Sequence, residues 1–384
     1  MKLLIIIGTR PEAIKMAPLI ILLKKDNRFV TTVCITSQHK EMLVSPLNIF
    51  GVTADYDLKI MEQDQDFFKV TINILKKIKP VILNTSPDMI LVQGDTMSAF
   101  VAALAGFYSK IRIAHIEAGL RTNRKEEPYP EEISRQLISR LADLHFAPTL
   151  KAKQNLISEN IPESMIHVTG NTVTDALHLA LEKIKQIGGI EQKILFPEIP
   201  KALWTVLKDS SKKIILVTAH RRENIASGIT NLCLALREIA RHPDVVIVIP
   251  VHPNPNVKNQ VEEKLANIQN IFLLKPLDYL TFVYLMKACY FIITDSGGIQ
   301  EEAPCLAKPV LLLRDFTERE ESVKAGTVKL VGTTKQIIED SAIELLTNDE
   351  EYKKRSAPGY YYGEAEVSKR IIEILAGQNS SIIL

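Results

Sequence analysis

The chain has 384 residues, which is long for one compact domain and enough for two of about 150–200 residues each. Hydrophobic residues make up 46% and charged residues 24%, which excludes a globally disordered chain and a fibrous protein. Lys and Arg number 47 against 45 Asp and Glu, and a formal charge of +2 indicates neither a nucleic-acid partner nor a membrane surface. A local cationic pocket remains compatible with this balance.

The first segment, MKLLIIIGTRPE, has too short an apolar part for a signal peptide and lacks a small-residue cleavage site, so we expect a buried strand. No apolar run approaches the roughly 20 residues that cross a bilayer. The four cysteines are far apart and show no zinc-like spacing. We therefore expect reduced buried thiols, no metal and a cytoplasmic location.

Short runs rich in Ile, Val and Leu alternate with amphipathic stretches along the chain. The predicted strands are Leu3–Ile7, Thr31–Thr36, Met89–Val92, Arg112–His115, Asp143–Ala147, Ile214–Thr218, Val245–Pro250, Ile271–Leu274, Phe291–Thr294 and Val310–Leu313. Continuous apolar strands with helices between them predict parallel sheets covered on both faces. The predicted fold class is therefore α/β, with two Rossmann-like, doubly wound domains facing each other across a cleft.

A stretch punctuated by Gly188-Gly189, Pro197 and Pro200 separates the two predicted halves. We expect an N-terminal Rossmann-like domain over residues 1–170 and a C-terminal one over 171–365, each with five or six strands. The last helix, within residues 366–384, is expected to pack back on the N-terminal domain.

Ligands of open parallel sheets bind beyond the carboxyl ends of the strands, so the residues after each strand matter most. After the first strand come Gly8-Thr9-Arg10-Pro11-Glu12 and then Lys15. This is not GxGxxG, and no acidic residue ends the second strand, which disfavours a dinucleotide. Arg10 lies where a phosphate would bind; the alternative is an ordinary turn with surface cations.

Three carboxylates follow separate strand ends: Asp95 in VQGDT, Glu117 in HIEAGLRT and Glu131 in PYPEE. Carboxylates that lie close together raise one another's pKa, as proton transfer near neutral pH requires. Taken alone, Glu131 is better explained as a carboxylate that stabilises a helix N-terminus.

The helix that PYPEE opens has a predicted core stripe of Ile133, Leu137, Leu141 and Leu144. Glu131 and Arg135 are four residues apart, and the pattern places them on the opposite side of the helix.

In the second half, His220 follows a strand and precedes two arginines, which suits phosphate binding or proton relay as well as a structural role. For His252 both roles stay open, and the other histidines of the strands and helices are expected to be structural. The segment Thr294–Ala303 ends a strand, and Gly297-Gly298 let the backbone approach a diphosphate. Glu302 follows about one turn into a helix, where it suits a ribose diol; the alternative is a plain glycine turn. Arg314-Asp315 and Glu318-Arg319 are expected at the rim of this pocket.

The blocks GTRPEAIKMAPL, VQGDT, HIEAGLRT, PYPEE, TAHRREN, TDSGGIQEEAP and AGTVKLVGT extend from residue 8 to about residue 333. In type and order they closely resemble the non-hydrolysing UDP-N-acetylglucosamine 2-epimerases. The resemblance implies a GT-B-like fold, a homodimer and a cytoplasmic role supplying N-acetylmannosamine units for surface polysaccharides.

Matched position by position, the resemblance implies that Asp95, Glu117, Glu131 and His220 are catalytic. It assigns UDP binding to Arg10, His220, Ser296, Gly297, Gly298 and Glu302, with Lys15 and Arg135 as further pocket residues. Phe282 is expected near the uracil.

The chemistry can also be argued from the substrate. The C2 proton of a UDP-hexosamine is not acidic, because C1 carries no carbonyl group. Inversion at C2 therefore needs one of two routes. Oxidation requires a nicotinamide cofactor, whose binding fingerprint is missing from the sequence. The other route is elimination of UDP to a 2-acetamidoglucal, followed by re-addition. Elimination needs cations and N–H groups for the diphosphate and carboxyl groups for the proton, and no redox cofactor.

Two positions depart from the family pattern. Family members commonly read TERPE where this chain has Thr317-Glu318-Arg319-Glu320. Bacterial relatives also hold a second, activating nucleotide sugar around residues like Gln38 and His39, with a downstream Arg-Gln pair. Here that pair reads Asp64-Gln65, and an acidic residue in place of a cation is expected to weaken this allosteric site.

The sequence leaves other functions open. A GT-B glycosyltransferase and a hydrolysing 2-epimerase would use the same UDP pocket, and a nucleotide-sugar sensor or an epimerase of a modified sugar would need it too. GTRPE, where hydrolysing relatives usually differ, and the set of carboxylates favour the non-hydrolysing reaction.

Overall fold

The structure, a computed structural model, describes residues 1–37, 46–62, 66–187, 196–219 and 227–378. It divides into two compact units. The first comprises Met1–Leu179 and the chain from Tyr362 onward, and the second is Ala180–Tyr361. The second unit is thus continuous in sequence, and the first is assembled from both sides of it.

The first unit contains a parallel sheet of seven strands. Labelled β1 to β7 in chain order, they are Lys2–Ile7, Val30–Ile35, Tyr56–Asp57, Met89–Gln93, Arg112–Ile116, Leu144–Ala147 and Ile166–Val168. Their order in the sheet is β3-β2-β1-β4-β5-β6-β7. β1 lies in the middle, with Ile5 opposite Val33 of β2 and opposite Leu91 of β4.

The described helices of the first unit flank this sheet. They are Arg10–Leu23, Phe67–Thr85, Met97–Tyr108, Glu131–Leu141, Leu150–Ser158, Val173–Gln186, which contains the boundary between the units, and Val367–Gly377, with a 3-10 turn at Glu163–Met165. Several begin at a side chain that accepts a backbone N–H of the first turn, among them Asp66, Thr96 and Thr149. Such caps satisfy N–H groups that have no partner inside the helix.

The second unit contains a parallel sheet of six strands in the order β10-β9-β8-β11-β12-β13. These strands are Lys213–Thr218, Val245–Pro250, Ile271–Leu274, Phe291–Thr294, Val310–Leu312 and Val328–Leu330, from β8 to β13. Its described helices are Lys201–Leu207, Ser227–Ile239, Pro255–Leu265, Tyr279–Ala288, Ile299–Cys305, Glu320–Lys324, Lys335–Thr347 and Asp349–Arg355. Strands and helices alternate in both units, which confirms the predicted α/β class.

The core of each unit lies between its sheet and the covering helices. In the first unit Leu4, Ile6 and Val92 are fully buried against Val101 and Ile74 of neighbouring helices. Continuous apolar strands are buried on both faces, because parallel strands carry helices above and below them. All ten predicted strands are present within about a residue at either end, and three short strands were not predicted.

The helix Val367–Gly377 belongs to the first unit. It packs against the helix Arg10–Leu23 and buries Val367, Ile371 and Leu375. The carboxylate of Asp175 accepts three backbone N–H groups at its start, from Glu366 at 2.8 Å, Val367 at 3.2 Å and Ser368 at 2.7 Å. This cap fastens the returning chain to the unit in which the chain began.

None of the helices in the described ranges combines the length and apolar character needed to cross a bilayer. The four cysteines are free thiols, and burial raises the pKa of Cys289 and Cys305 to about 12. Thiols with so high a pKa are poor nucleophiles at neutral pH.

Candidate active site

Three turns meet at the carboxyl ends of β1, β4 and β5, which are neighbours in the first sheet. The backbone N–H of Gly94, after β4, donates to the carbonyl of Ile116 at the end of β5 at 2.9 Å. The ring Nε2 of His115 lies 2.7 Å from the carbonyl of Gly94. Burial lowers the pKa of His115 to about 4, so the ring is neutral at physiological pH and serves this turn as a structural group.

Glu117 is a buried carboxylate held by a cation and an amide. It follows β5 in the left-handed backbone region, with φ of +66°. Its Oε2 accepts from Lys15 Nζ at 2.5 Å and from Gln93 Nε2 at 2.6 Å. A non-glycine residue held at positive φ beside a buried ion pair is typical of functional sites, where surrounding contacts offset the strain.

Asp95 lies at the end of β4 and pairs with Arg135. Its Oδ2 accepts from Arg135 Nε at 2.8 Å and lies 2.7 Å from Arg135 Nη2. Arg135 Nη1 also reaches Glu132 Oε2 at 3.3 Å. The guanidinium thus sets the position of the Asp95 carboxylate, with Glu132 behind it.

The helix Glu131–Leu141 does not bury the predicted stripe. Glu132, Arg135, Ile138 and Ser139 are buried, Leu137 is 42% exposed, and Leu144 lies outside the helix in β6. Glu132 accepts the backbone N–H groups of Thr122 and Asn123 at 3.0 and 3.1 Å, so this face packs on the polar loop after β5. The prediction that Arg135 lies opposite the buried side is therefore wrong.

The remaining predicted residues of the first unit lie at helix starts. Glu131 is the first residue of its helix, half-buried and one turn before Arg135. Arg10 is the first residue of the helix Arg10–Leu23, also half-buried, and Lys15 follows one turn later on the same helix. The first unit therefore brings Asp95, Glu117, Lys15 and Arg135 into two adjacent ion pairs, with the helices of Arg10 and Glu131 beside them.

Glu12 is a site residue that sequence reasoning missed. Its Oε2 accepts the backbone N–H groups of Gly8 at 3.1 Å and Thr9 at 2.6 Å, and its Oε1 accepts from the Thr96 hydroxyl at 3.0 Å. Burial raises its pKa to about 7. The capping pattern Thr9-x-x-Glu12 was visible in the sequence, but the hydrogen bond from Thr96, in the turn after β4, was not.

In the second unit, the segment Ser296-Gly297-Gly298 joins β11 to the helix Ile299–Cys305. A Cβ added at Gly297 would lie 2.9 Å from Nη1 of Arg319. One added at Gly298 would meet only Glu302 Oε2, at 3.8 Å. Gly297 is needed because a Cβ there would crowd the Arg319 side chain. At Gly298 the described residues leave open space beside the backbone.

Arg319 belongs to a buried charge cluster next to this turn. Its Nε donates to Glu301 at 2.5 Å, and Nη1 pairs with Glu318. Glu318 also accepts from Arg314 Nη1 at 3.2 Å, and Arg314 Nε donates to the carbonyl of Asp295 at 2.9 Å. Glu318 and Arg319 are thus buried against the glycine turn, where the sequence predicted a rim.

Glu302 is tied to the helix that carries Phe282. The hydroxyl of Tyr279 donates to Glu302 Oε1 at 2.6 Å, and both residues are buried. Phe282 follows Tyr279 by three residues on the helix Tyr279–Ala288 and is half-buried. Sequence reasoning missed Tyr279, although it lies in the same short block as Phe282.

Some predicted residues lie outside the described ranges: His220, Gln38, His39 and the Asp64-Gln65 pair. His252 accepts the N–H of Asn254 at Nδ1, 3.2 Å away, which gives it a local structural contact. Within the described residues, no group of three or more His, Cys, Asp or Glu is arranged to hold a metal ion.

Comparison with known proteins provides independent evidence for the family of this chain. The family model described as UDP-N-acetylglucosamine 2-epimerase matches residues 22–376. The chain is 49% identical over 385 aligned positions to a UDP-N-acetylglucosamine 2-epimerase of Campylobacter jejuni, covering 100% of this chain and 99% of the relative.

Two solved structures extend the likeness to the fold. One is the UDP-GlcNAc 2-epimerase of Neisseria meningitidis bound to UDP-GlcNAc, with a TM-score of 0.93, 48% identity, and coverage of 98% of this chain and 100% of that one. The other is the Methanocaldococcus jannaschii enzyme in complex with UDP-GlcNAc and UDP, with a TM-score of 0.84, 33% identity, and coverage of 98% and 100%. These likenesses confirm the predicted GT-B-like architecture of two Rossmann-like domains, and the chain belongs to the UDP-N-acetylglucosamine 2-epimerase family.

Proposed function

We propose that this chain interconverts UDP-N-acetylglucosamine and UDP-N-acetylmannosamine by eliminating UDP and adding it back. The activity, C2 epimerisation of UDP-N-acetylglucosamine, is that of the family to which the chain belongs. The observation that supports the mechanism best is the pair of carboxylates at adjacent strand ends, each held by its own cation: Asp95 by Arg135, and Glu117 by Lys15. The product would supply surface polysaccharide synthesis.

Elimination breaks two bonds on the sugar. The C2–H bond loses its proton to a carboxylate, and the C1–O bond breaks as UDP leaves, which gives 2-acetamidoglucal. UDP then adds back to C1 from the face that it left, which re-forms C1–O, and a proton is delivered to C2 from the face opposite to the one that lost it. This sequence is redox-neutral and needs a base and an acid on opposite faces, together with charge stabilisation at the diphosphate.

We assign the C2 proton to Asp95 and Glu131, one on each face of the sugar ring. Asp95 is suited to accept a proton, because Arg135 holds its carboxylate at 2.7 to 2.8 Å and leaves Oδ1 for the substrate. Glu117 would act as an acid or an orienting group, since Lys15 and Gln93 both bind its Oε2. His220 completes the catalytic set by resemblance.

The UDP moiety is assigned to Arg10, His220, Ser296, Gly297, Gly298 and Glu302. The relatives from Neisseria meningitidis and Methanocaldococcus jannaschii are described in complex with UDP-GlcNAc. In this chain, the open space beside Gly298 supports close approach of a diphosphate to the backbone. The hydroxyl of Tyr279 donates to Glu302, which we assign to a ribose diol, and we assign Phe282 on the same helix to the uracil.

Deuterium oxide provides the decisive experiment. The protein is incubated with UDP-N-acetylglucosamine in deuterium oxide without added NAD, and the mixture is followed by NMR. We expect UDP-N-acetylmannosamine that carries deuterium at C2. A product that retains all of its C2 hydrogen would contradict proton exchange with solvent, free UDP with free sugar would indicate the hydrolysing reaction, and turnover that requires an added acceptor would indicate a glycosyltransferase.

We also propose that the chain forms a homodimer through the helices of the first unit. The helices Phe67–Thr85, Met97–Tyr108 and Glu131–Leu141 pack side by side in that order. They expose large apolar side chains, including Phe68 at 80%, Ile72 at 48% and Leu137 at 42%. Large apolar side chains exposed on neighbouring helices favour a protein–protein interface here.

A further inference from the structure

A hydrogen-bonded bridge between Glu12 and Thr96 joins the turn that carries Arg10 to the turn that carries Asp95. We propose that Glu12 and Thr96 are positioning residues, which hold these two turns in one fixed arrangement for the reaction. The inference rests on the roles assigned above to Arg10 and Asp95. It concerns two residues that touch neither the sugar nor the nucleotide in the proposed mechanism.

On the side of the first turn, Glu12 orders the backbone just before Arg10. Its Oε2 accepts the N–H groups of Gly8 at 3.1 Å and Thr9 at 2.6 Å. The carboxylate is 1% exposed and lies in the first turn of the helix Arg10–Leu23. The path of the chain into Arg10 is therefore set by this one carboxylate.

On the side of the second turn, Thr96 directly follows Asp95. Its Oγ1 accepts the backbone N–H of Ala99 at 3.1 Å as the cap of the helix Met97–Tyr108. The same hydroxyl donates its single hydrogen to Glu12 Oε1, 3.0 Å away, because a carboxylate oxygen accepts. A movement of the turn of Asp95 therefore breaks either the cap or the bridge.

The arrangement is costly, which argues for a functional reason. Each hydrogen bond that Glu12 accepts comes from a neutral donor, either a backbone N–H or a hydroxyl. Burial of a carboxylate without a cation is unfavourable, and desolvation accordingly raises its pKa to about 7. A carboxylate that only caps its own helix needs no burial and no hydrogen bond to a residue 84 positions away in the sequence.

The benefit lies in the geometry of Asp95. Arg135 holds its carboxylate from one side, and the Thr96 bridge holds its backbone from the other. Proton transfer depends steeply on the placement of the base, and a shift of about 1 Å can cost about a hundredfold in rate. Loss of the bridge is therefore expected to lower kcat more than nucleotide affinity.

The test compares two threonines that cap helices in the same unit. Thr96→Val removes the cap and the bridge, whereas Thr149→Val removes an equivalent cap, which accepts Ala152 N–H at 3.1 Å. We expect both variants to lose similar thermal stability. Only Thr96→Val should lower kcat, by about tenfold or more, with the Kd for UDP within about threefold of wild type, and Thr96→Ser should restore turnover. Equal kcat in the two valine variants would overturn the proposal.

A second variant keeps the test decisive if Thr96→Val folds poorly. Glu12→Leu removes the acceptor for Thr96, whereas Glu12→Gln keeps an acceptor for Gly8 and Thr9 and can donate its amide N–H₂ to the second lone pair of Thr96 Oγ1. We expect the kcat of Glu12→Leu to fall about fivefold or more and that of Glu12→Gln to stay closer to wild type. Wild-type kcat in Glu12→Leu would count against the bridge.

The failure of this inference can be told apart from failure of the proposed reaction. Wild-type protein is assayed in parallel for deuterium at C2 of the product. If wild-type protein makes no UDP-N-acetylmannosamine, the proposed function is wrong and with it the role of the bridge. If wild type exchanges the C2 proton and Thr96→Val does so at the same rate, the reaction stands and the positioning role is wrong.

Discussion

At the scale of single residues, the first unit shows how one side-chain type acquires different properties from its surroundings. Glu117 lies against the ammonium of Lys15, and Asp95 lies against the guanidinium of Arg135. In the described part of the chain, the donors to Glu12 are neutral, and burial raises its pKa to about 7. The same carboxyl chemistry thus serves in ion pairs at Asp95 and Glu117, whereas the buried Glu12 takes up a proton near neutral pH.

Replacement of either proposed proton carrier should abolish turnover without unfolding the site. Asp95→Asn and Glu131→Gln keep the shape of the side chain but remove the carboxylate, so we expect kcat to fall by about a hundredfold or more. UDP affinity should change by less than about threefold, because we assign the nucleotide to other residues. Steady-state kinetics and calorimetric titration with UDP measure the two effects.

Glu163→Gln is the matched control for these variants. Glu163 pairs with Lys153 in an exposed ion pair away from the strand ends, so its kcat should equal that of wild type. Near wild-type turnover in both Asp95→Asn and Glu131→Gln would remove these residues from the mechanism.

The buried carboxylate of Glu12 should also give the protein a pH-dependent stability. Its pKa is about 7 in the fold against 4.5 in the unfolded chain, so the folded state binds more protons between these values. Its contribution to stability is therefore fully present below about pH 4.5 and is lost as the pH rises through 7, by up to about 3 kcal/mol. The melting temperature of wild type should therefore fall relative to that of Glu12→Gln as the pH is raised from 5 to 8. A difference between the two proteins that does not change with pH would contradict this.

At the scale of elements, strands with an apolar run of their own were predictable, including the edge strand Ile271–Leu274, and the shortest edge strands were not. Val245–Pro250, Ile271–Leu274 and Phe291–Thr294 have the predicted bounds, because buried parallel strands are apolar at every position. Tyr56–Asp57, Ile166–Val168 and Val328–Leu330 were missed. Each lies at an edge of its sheet, is two or three residues long, and depends on its neighbour for pairing rather than on an apolar run of its own.

The strand-end positions of the candidate residues were predictable, but their supporting contacts were not. Strand ends directed attention to Asp95 and Glu117, since ligands gather at the carboxyl ends of parallel strands. The buried face of the helix Glu131–Leu141 was predicted wrongly, because it carries Glu132 and Arg135 where the periodicity of apolar residues predicts leucines. Hydrogen bonds that join distant segments, such as Thr96 to Glu12 and Tyr279 to Glu302, have no periodic signature at all.

The glycine turn after β11 permits a prediction with an internal control. Gly298→Ala adds a methyl group that meets nothing nearer than 3.8 Å in the described chain, so the melting temperature should stay within about 2 °C of wild type. UDP affinity should nevertheless fall about tenfold or more, because the methyl group occupies the space assigned to the diphosphate.

Gly297→Ala is expected to differ, since its methyl group would lie 2.9 Å from the Arg319 guanidinium, which Glu301 and Glu318 hold in place. It should therefore lose thermal stability as well as affinity. Thermal unfolding and calorimetry on both variants separate the two effects. Undiminished UDP binding by Gly298→Ala would contradict the assignment of the diphosphate to this turn.

At the scale of the whole molecule, the exposed apolar face of the first unit makes a prediction about assembly. Phe68→Asp combined with Ile72→Asp places two charges on the face proposed to be buried in a homodimer, and we expect the dimer to dissociate. Leu150→Asp alters an equally exposed apolar residue on another helix and should leave the dimer intact. Light scattering after gel filtration gives the masses, and a monomeric wild type would contradict the proposal.

The return of the chain at Tyr362 affects the order in which the protein is made. The ribosome has delivered all of the second unit before it supplies the helix Val367–Gly377, which covers the helix that begins with Arg10. During synthesis the helix Arg10–Leu23 of the first unit therefore stays without its covering helix, while all of the second unit is already present. We infer that the second unit folds first during synthesis and that the first unit, which carries Asp95 and Glu117, is completed last.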